Sequence, residues 1–216
     1  MARAKIAPEV LAHLEWLGFV QPTGLVVSAP ALVRAGAVLD RRDVEGQLRL
    51  ASCTAERTVD LEAGPEPYVP DFESFARSVL DWSFSPKFYV GTEEDPVPAE
   101  LEIPLPEFED TLRPDFAVRE PDPNGDHAVW QLLVQVLETG EDFAAARRGS
   151  GRLEASAHSR MERLLRQTGV LAGVLFNGIS LRLISAPRGE SSGWFDVQVA
   201  DMLTRMSPNW TGVAVC

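Results

Sequence analysis

Two short stretches hold the residues whose types and spacing could do chemistry. In RPDFAV (113–118) Asp115 follows a proline at the start of a β-rich run, and in WQLLVQVLETG (130–140) a second such run ends on Gln135, Leu137 and Glu138. Successive residues of a strand face opposite ways, so positions i and i+2 share a face. An aspartate on one strand, with acid-x-lysine on its neighbour, would gather two carboxylates and an ammonium around one divalent metal ion. Such an ion polarises a phosphodiester and helps activate water, while the lysine stabilises the developing charge. Asp115 supplies the first group. Gln135 stands where the second acid belongs, and Leu137 replaces the lysine.

Other residues fill the pattern only in part. Glu73, in a helical segment upstream, is the candidate for a third carboxylate. Glu138 is the nearest acid to the vacant position but lies one residue out of phase, and it turns inward only if the strand bulges. The candidate catalytic set is therefore Asp115, Glu73 and Gln135, with Asp115 and Glu138 as the candidate metal ligands. The expectation is a degenerate site, with Mg²⁺ as cofactor only if the site is active. His13, His127 and His158 have no ligand spacing. GESSG (189–193) fits the pattern of a nucleophile elbow but precedes a strand rather than a helix. Phosphate-binding and dinucleotide-binding fingerprints are absent.

Bulk properties limit the partners. The chain has 216 residues, 45% of them hydrophobic, enough to bury one large core, and a net charge of −12. Tight nucleic-acid binding is usually driven by a basic field that releases counterions, so autonomous DNA binding is not expected. The basic concentration is local: Arg147, Arg148 and Arg152, then Arg160, Arg163 and Arg166. Arg160 and Arg163 share a helix face and are the candidate phosphate contacts, against the commoner role of solvated charge. Cys53 and Cys216 match no disulfide or metal spacing, and no apolar run reaches the ~18 residues of a membrane span. The expectation is a reduced, cytoplasmic protein.

The elements that must position Asp115 follow from periodicity. PEVLAHLEWL (8–17) reads as a helix, GLVVS (24–28) as a strand, PALVRAG (30–36) as a helix and QLRLASC (47–53) as a strand. ERTVDLEAGPEPYVP (56–70) reads as a connector. DFESFARSVLDWSF (71–84) is a helix capped by Asp71, with Phe72, Phe75, Ala76, Val79 and Leu80 on one stripe. KFYVG (87–91) is a short strand, and the acidic, proline-rich run 92–114 an extended loop. Two strands flank a turn at PDPNGD (121–126). SAHSRMERLLRQTG (156–169) is a helix capped by Ser156 and stopped by Gly169. GVLFNGISLRL (173–183) is a hairpin around Asn177–Gly178, the pair that favours a type I′ turn, and WFDVQVAD (194–201) is a strand entering a helix. The fold class is α+β. From residue 71 the order is αβββαβ, that of the restriction-endonuclease-like fold and its PD-(D/E)xK sites, preceded by a small α/β extension over residues 1–60.

The segments WLGFVQPTGLVVSAPALVRAGAVLDRRD (16–43), RPDFAV, WQLLVQVLETGEDF and ASAHSRMERLLRQTGVLAGVLFNGISLRLISAPRGESSGWFDV (155–197) carry a family likeness. They resemble the N-terminal region of type IIG-like, adenine-specific DNA methyltransferases of bacterial restriction-modification, nearest to the methyltransferase of the DISARM phage-defence system. The resemblance implies a nuclease-like module over residues 61–216 coupled to a methyltransferase. It implies DNA, contacted with help from that methyltransferase, and other defence proteins as partners. S-adenosylmethionine chemistry belongs to a region outside this chain, since the catalytic Asn/Asp-Pro-Pro-Tyr/Phe tetrad is missing. The departures at 135 and 137 put cleavage in doubt, so the expected role is positioning DNA or docking partner subunits. The alternatives are an active Mg²⁺-dependent endonuclease and an interaction module without a nucleic-acid role. The apolar end WTGVAVC reads as the mark of a fragment or split reading frame.

Overall fold

The central strand runs VWQLLVQV, apolar on both faces at its middle, and such a strand needs a packed layer on each side. The computed structural model describes residues 6–24, 26–39, 43–60, 64–84, 88–120, 129–146, 154–204 and 213–214. In chain order the first third holds helix α1 (Pro8–Val20), α2 (Ala29–Arg34), strand β1 (Val38–Leu39), α3 (Val44–Cys53), β2 (Ala55–Asp60) and β3 (Gly64–Tyr68). Then come α4 (Phe72–Ser78), β4 (Tyr89–Val90), β5 (Ile103–Leu105), β6 (Asp110–Leu112), β7 (Phe116–Glu120) and β8 (Val129–Val136). The last part holds α5 (Ala157–Thr168), β9 (Ala172–Phe176), β10 (Ser180–Ser185), β11 (Gly193–Gln198), α6 (Val199–Thr204) and β12 (Val213–Ala214). The chain is mixed α+β.

Six strands form the main sheet in the order β11–β10–β9–β8–β7–β4. Every neighbouring pair is antiparallel except β8 and β9, which are parallel. A parallel pair needs a crossover, and α5 provides it. On one face α5 buries Met161, Leu164 and Leu165 against Leu133, Leu137, Leu175 and Ile184. Gly173 lets α5 come close, since a Cβ there would lie 2.7 Å from the Met161 sulfur. On the other face α4 sets Phe72, Phe75 and Ala76 on Val134, Val174 and Phe176, with Phe75 stacked on Phe176 at 5.6 Å.

Local signals explain the helices that hold this sheet. Ser156 accepts from the Ser159 N–H at the start of α5, and Gly169, at φ +80°, closes its end. The Asp71 carboxylate likewise accepts from Ser74 at the start of α4.

Several expectations are corrected. Residues 47–53 are helical rather than a strand: Asp43 caps α3 through Gly46, and only Leu50 of the expected Leu48–Leu50–Ser52 alternation is buried. The connector 56–70 is largely the β2–β3 hairpin. The loop at 92–114 contains the β5–β6 hairpin, seated by Leu101, Leu105 and Leu112 in the core. In place of a strand at 24–28 there is one bridge, Thr23 to Trp194. The α4 helix stops at Ser78, and α1 runs through Gly18 to Val20. The β9–β10 connection is not a two-residue type I′ turn. The last pair is Phe176–Leu181, and Asn177 folds a four-residue loop by accepting from Ile179 and Ser180 through its side chain. The turn at 121–126, Arg147, Arg148, Arg152, His127 and Cys216 lie outside the described residues.

The N-terminal segment is fastened to the sheet's edge. Trp16 meets Phe195 edge to face at 5.8 Å, and β1 pairs with β12. Leu175→Ala, at a fully buried position, is expected to lower unfolding free energy by about 2–5 kcal/mol, while Leu48→Ala, at 67% exposure, leaves it within about 0.5 kcal/mol. Urea denaturation of both variants checks the assignment of core and surface.

Candidate functional site

Asp115 sits where β7 begins, directly after buried Pro114 and beside the carboxyl end of β8. Its N–H donates to the Val134 carbonyl at 2.8 Å, and its Oδ2 accepts from the Val136 N–H at 2.6 Å. The β7–β8 ladder ends there, leaving Val136 without a backbone acceptor, and the carboxylate fills that gap as a charge-assisted bond. Gly91, at φ +118°, lets the end of β4 pass behind: a Cβ would stand 2.2 Å from the Asp115 carbonyl oxygen.

The neighbouring positions are arranged as core and surface. Leu137 is 7% exposed, packs in the core under α5, and donates its N–H to Phe176. Gln135 is half-buried. Glu138 lies beyond the strand's end and is exposed. The register shift of the β7–β8 pair falls at Val118/Arg119, away from Glu138, so no bulge turns that acid inward. Glu73, in the first turn of α4, pairs with Arg77 at 3.7 Å. The Tyr89 hydroxyl is buried without a hydrogen-bond partner among the described residues, and burial, followed by the charge of Glu73 and also that of Asp115, raises its pKa. Glu73 and Asp115 thus bear on the same tyrosine.

As a cradle for Mg²⁺ this set falls short. Magnesium takes near-octahedral oxygen ligation anchored by carboxylates. Here the Asp115 Oδ2 is committed to backbone, Gln135 carries no charge, and Glu138 is turned out. Among the described residues no group of three or more His, Cys, Asp or Glu side chains could hold a metal ion.

The two arginines expected to meet phosphate are engaged elsewhere. Arg160 binds the Asp110 carboxylate at 2.7 Å, with side chains only 16% and 12% exposed, and Arg163 reaches Glu107 at 3.4 Å. Both acids belong to the segment around β6, so this face of α5 clamps the β5–β6 hairpin rather than presenting a free strip. A helix face and a charge pattern identified the arginines but not their partners, some fifty residues upstream.

A second polar region, missed from sequence, lies beyond the first turn of α5. Arg182 forms a bidentate pair with Asp196 at 2.6 and 2.7 Å, and its guanidinium lies 5.1 Å from the Phe143 ring and 5.8 Å from Trp194. Ser180 donates to Gln198 at 2.6 Å. The signal was available in SLRLIS, where Ser180 and Arg182 share a strand face with buried Ile184. Nearby, His158 packs edge-on against Trp194 at 4.7 Å, with Nε2 3.6 Å from Glu162 and no hydrogen-bond partner for Nδ1 among the described residues. Burial lowers its pKa, opposed by Glu162 and Asp196 and aided by Arg182.

Comparison with models of known protein families, with curated proteins and with solved structures yields no match.

Two predictions test this geometry. Asp115→Ala is expected to cost about 1 kcal/mol, since water can reach the exposed Val136 N–H, whereas Leu137→Lys is expected to cost about 3 kcal/mol or more by burying a charge. Equal stability of the two variants in urea would refute the placement of Leu137. For His158, a folded pKa below the ordinary 6.5 means the unfolded chain binds the proton first. Its stability contribution is complete above pH 6.5 and is lost as pH falls through the folded value. The melting temperature should therefore drop less between pH 7.5 and pH 5 in His158→Gln than in the native chain.

Proposed function

We propose that this chain carries a restriction-endonuclease-like domain whose metal-nuclease triplet has degenerated, and that it serves a bacterial restriction-modification or phage-defence DNA methyltransferase as a non-cleaving module. Its work is to dock partner subunits and hold them relative to DNA, with most DNA contacts and all S-adenosylmethionine chemistry supplied by the methyltransferase. The observation that carries the reading is the fate of the acid-x-lysine positions. Leu137 is built into the core under α5, and the Asp115 carboxylate caps the end of β8. The succession α4, β4, β7, β8, α5, β9 supports the fold half of the proposal, with the β5–β6 hairpin inserted between its first two strands.

A reading with no nucleic-acid role for the isolated chain draws on a specific observation of its own. Arg160 and Arg163 are neutralised by Asp110 and Glu107 in a chain of net charge −12. Docking is therefore weighted above DNA contact.

Plasmid DNA incubated with the purified chain and Mg²⁺ or Mn²⁺ is expected to stay intact. Cleavage that Asp115→Ala abolishes would establish an active endonuclease and overturn the proposal. A gel shift at ~50 mM salt separates the two docking readings: weak, salt-sensitive retention of DNA favours a positioning role, and none leaves partner docking alone.

A further inference from the structure

Under α5 the facing side chains of β10 and β11 are apolar, with Ile184 opposite Trp194. Past the helix the next pairs on the same face are Arg182 opposite Asp196 and Ser180 opposite Gln198. Four polar residues on a core-facing surface are costly unless each is satisfied, and these satisfy one another. They floor a cleft of about 240 Å³, walled by the segment following β8 and the loop following β9. That is the carboxyl end of the parallel strand pair, where open sheets leave a crevice.

Charge and shape narrow the occupant. Among the described residues that line the cleft, Arg182 is matched by Asp196 and Asp142 adds a further carboxylate, so this part of the wall is net negative. A phosphate is repelled there, while an ammonium or guanidinium is attracted. Phe143 gives an apolar wall for the methylenes of a long side chain.

The adjoining sheet edge supplies an independent observation. Thr23 and Trp194 exchange both backbone hydrogen bonds, at 2.7 and 2.8 Å, so the Trp194 N–H and C=O point away from β10. By strand alternation those of Asp196 point the same way, and no described residue pairs with them. The edge is thus occupied by Thr23 at Trp194 and open beyond it at Asp196, where a short extended segment can add to the strand.

We propose that the β11 edge and this cleft together form a docking site for an extended segment of a partner protein, whose lysine or arginine side chain enters the cleft. The cleft lies at the same carboxyl end of the sheet as Asp115 but is lined by other residues, and it holds whether or not Asp115 supports DNA cleavage.

The test titrates the full, ¹⁵N-labelled chain with a short acetylated Thr/Val peptide carrying one central arginine. The same peptide with glutamate at that position, and inorganic phosphate, are titrated separately. Saturable shifts at the Gly140, Ile179 and Gln198 amides with the arginine peptide alone are expected. Asp142→Asn, whose amide oxygen can still accept from the Ala144 N–H, should weaken binding roughly two- to fivefold. Gln198→Lys, at an exposed position, places a cation at the mouth and should weaken it as well, while the loss of the Ser180 acceptor lowers the melting temperature slightly. No saturable shift, or an equal response to the glutamate peptide or to phosphate, would sink the proposal.

Discussion

The double burial of β8 constrains most of the molecule. Val134 must be covered by α4, and Leu133 and Leu137 by α5, so the strand's alternation is consumed by two cores. A lysine at position 137 would need its ammonium in water or against a carboxylate, yet that position lies within the packed layer under α5. The same constraint makes Asp115 useful without chemistry. Where β8 outruns its partner β7, an N–H is left over, and a carboxylate at the start of β7 is the group placed to take it.

The parallel junction between β8 and β9 follows from the same strand. The crossover through α5 is held down by apolar contacts with the sheet, and its polar face by ion pairs with the β5–β6 hairpin. Those pairs are worth different amounts. Arg160 and Asp110 are nearly removed from water, so removing either partner leaves a poorly solvated charge, whereas Arg163 and Glu107 are exposed and contribute little. The hairpin is thus a fixed part of the core rather than a lid, as its buried leucines also require.

What could be read from sequence tracks where local chemistry decides the structure. α5 was legible to within a residue because Ser156, the Met161–Leu164–Leu165 stripe and Gly169 agree. β7 and β8 were legible as β-rich runs flanking a turn signal, although β8 is buried on both faces at its middle. By contrast, α3 imitates a strand, since Leu48, Leu50 and Ser52 at period two look the same whether or not a helix buries just one of them. The β5–β6 hairpin hides among prolines because its pairing is short and its stability comes from leucines docked on a distant helix. Asp115 was found by its type and position. Its partner, a backbone N–H, has no sequence signature at all.

The distribution of charge joins these points. Most of the described arginines are held by a carboxylate, among them Arg57 by Glu66, Arg77 by Glu73, Arg160 by Asp110 and Arg182 by Asp196. A phosphate backbone would have to break such pairs before gaining anything, and the bidentate Arg182–Asp196 pair, stacked beside Phe143 and Trp194, is the least easily broken. Paired cations leave the excess negative charge as what the surface presents, so the field of the molecule favours basic partners over polyanions. On this ground the proposed scaffold role, meeting other proteins rather than DNA, is the more economical one.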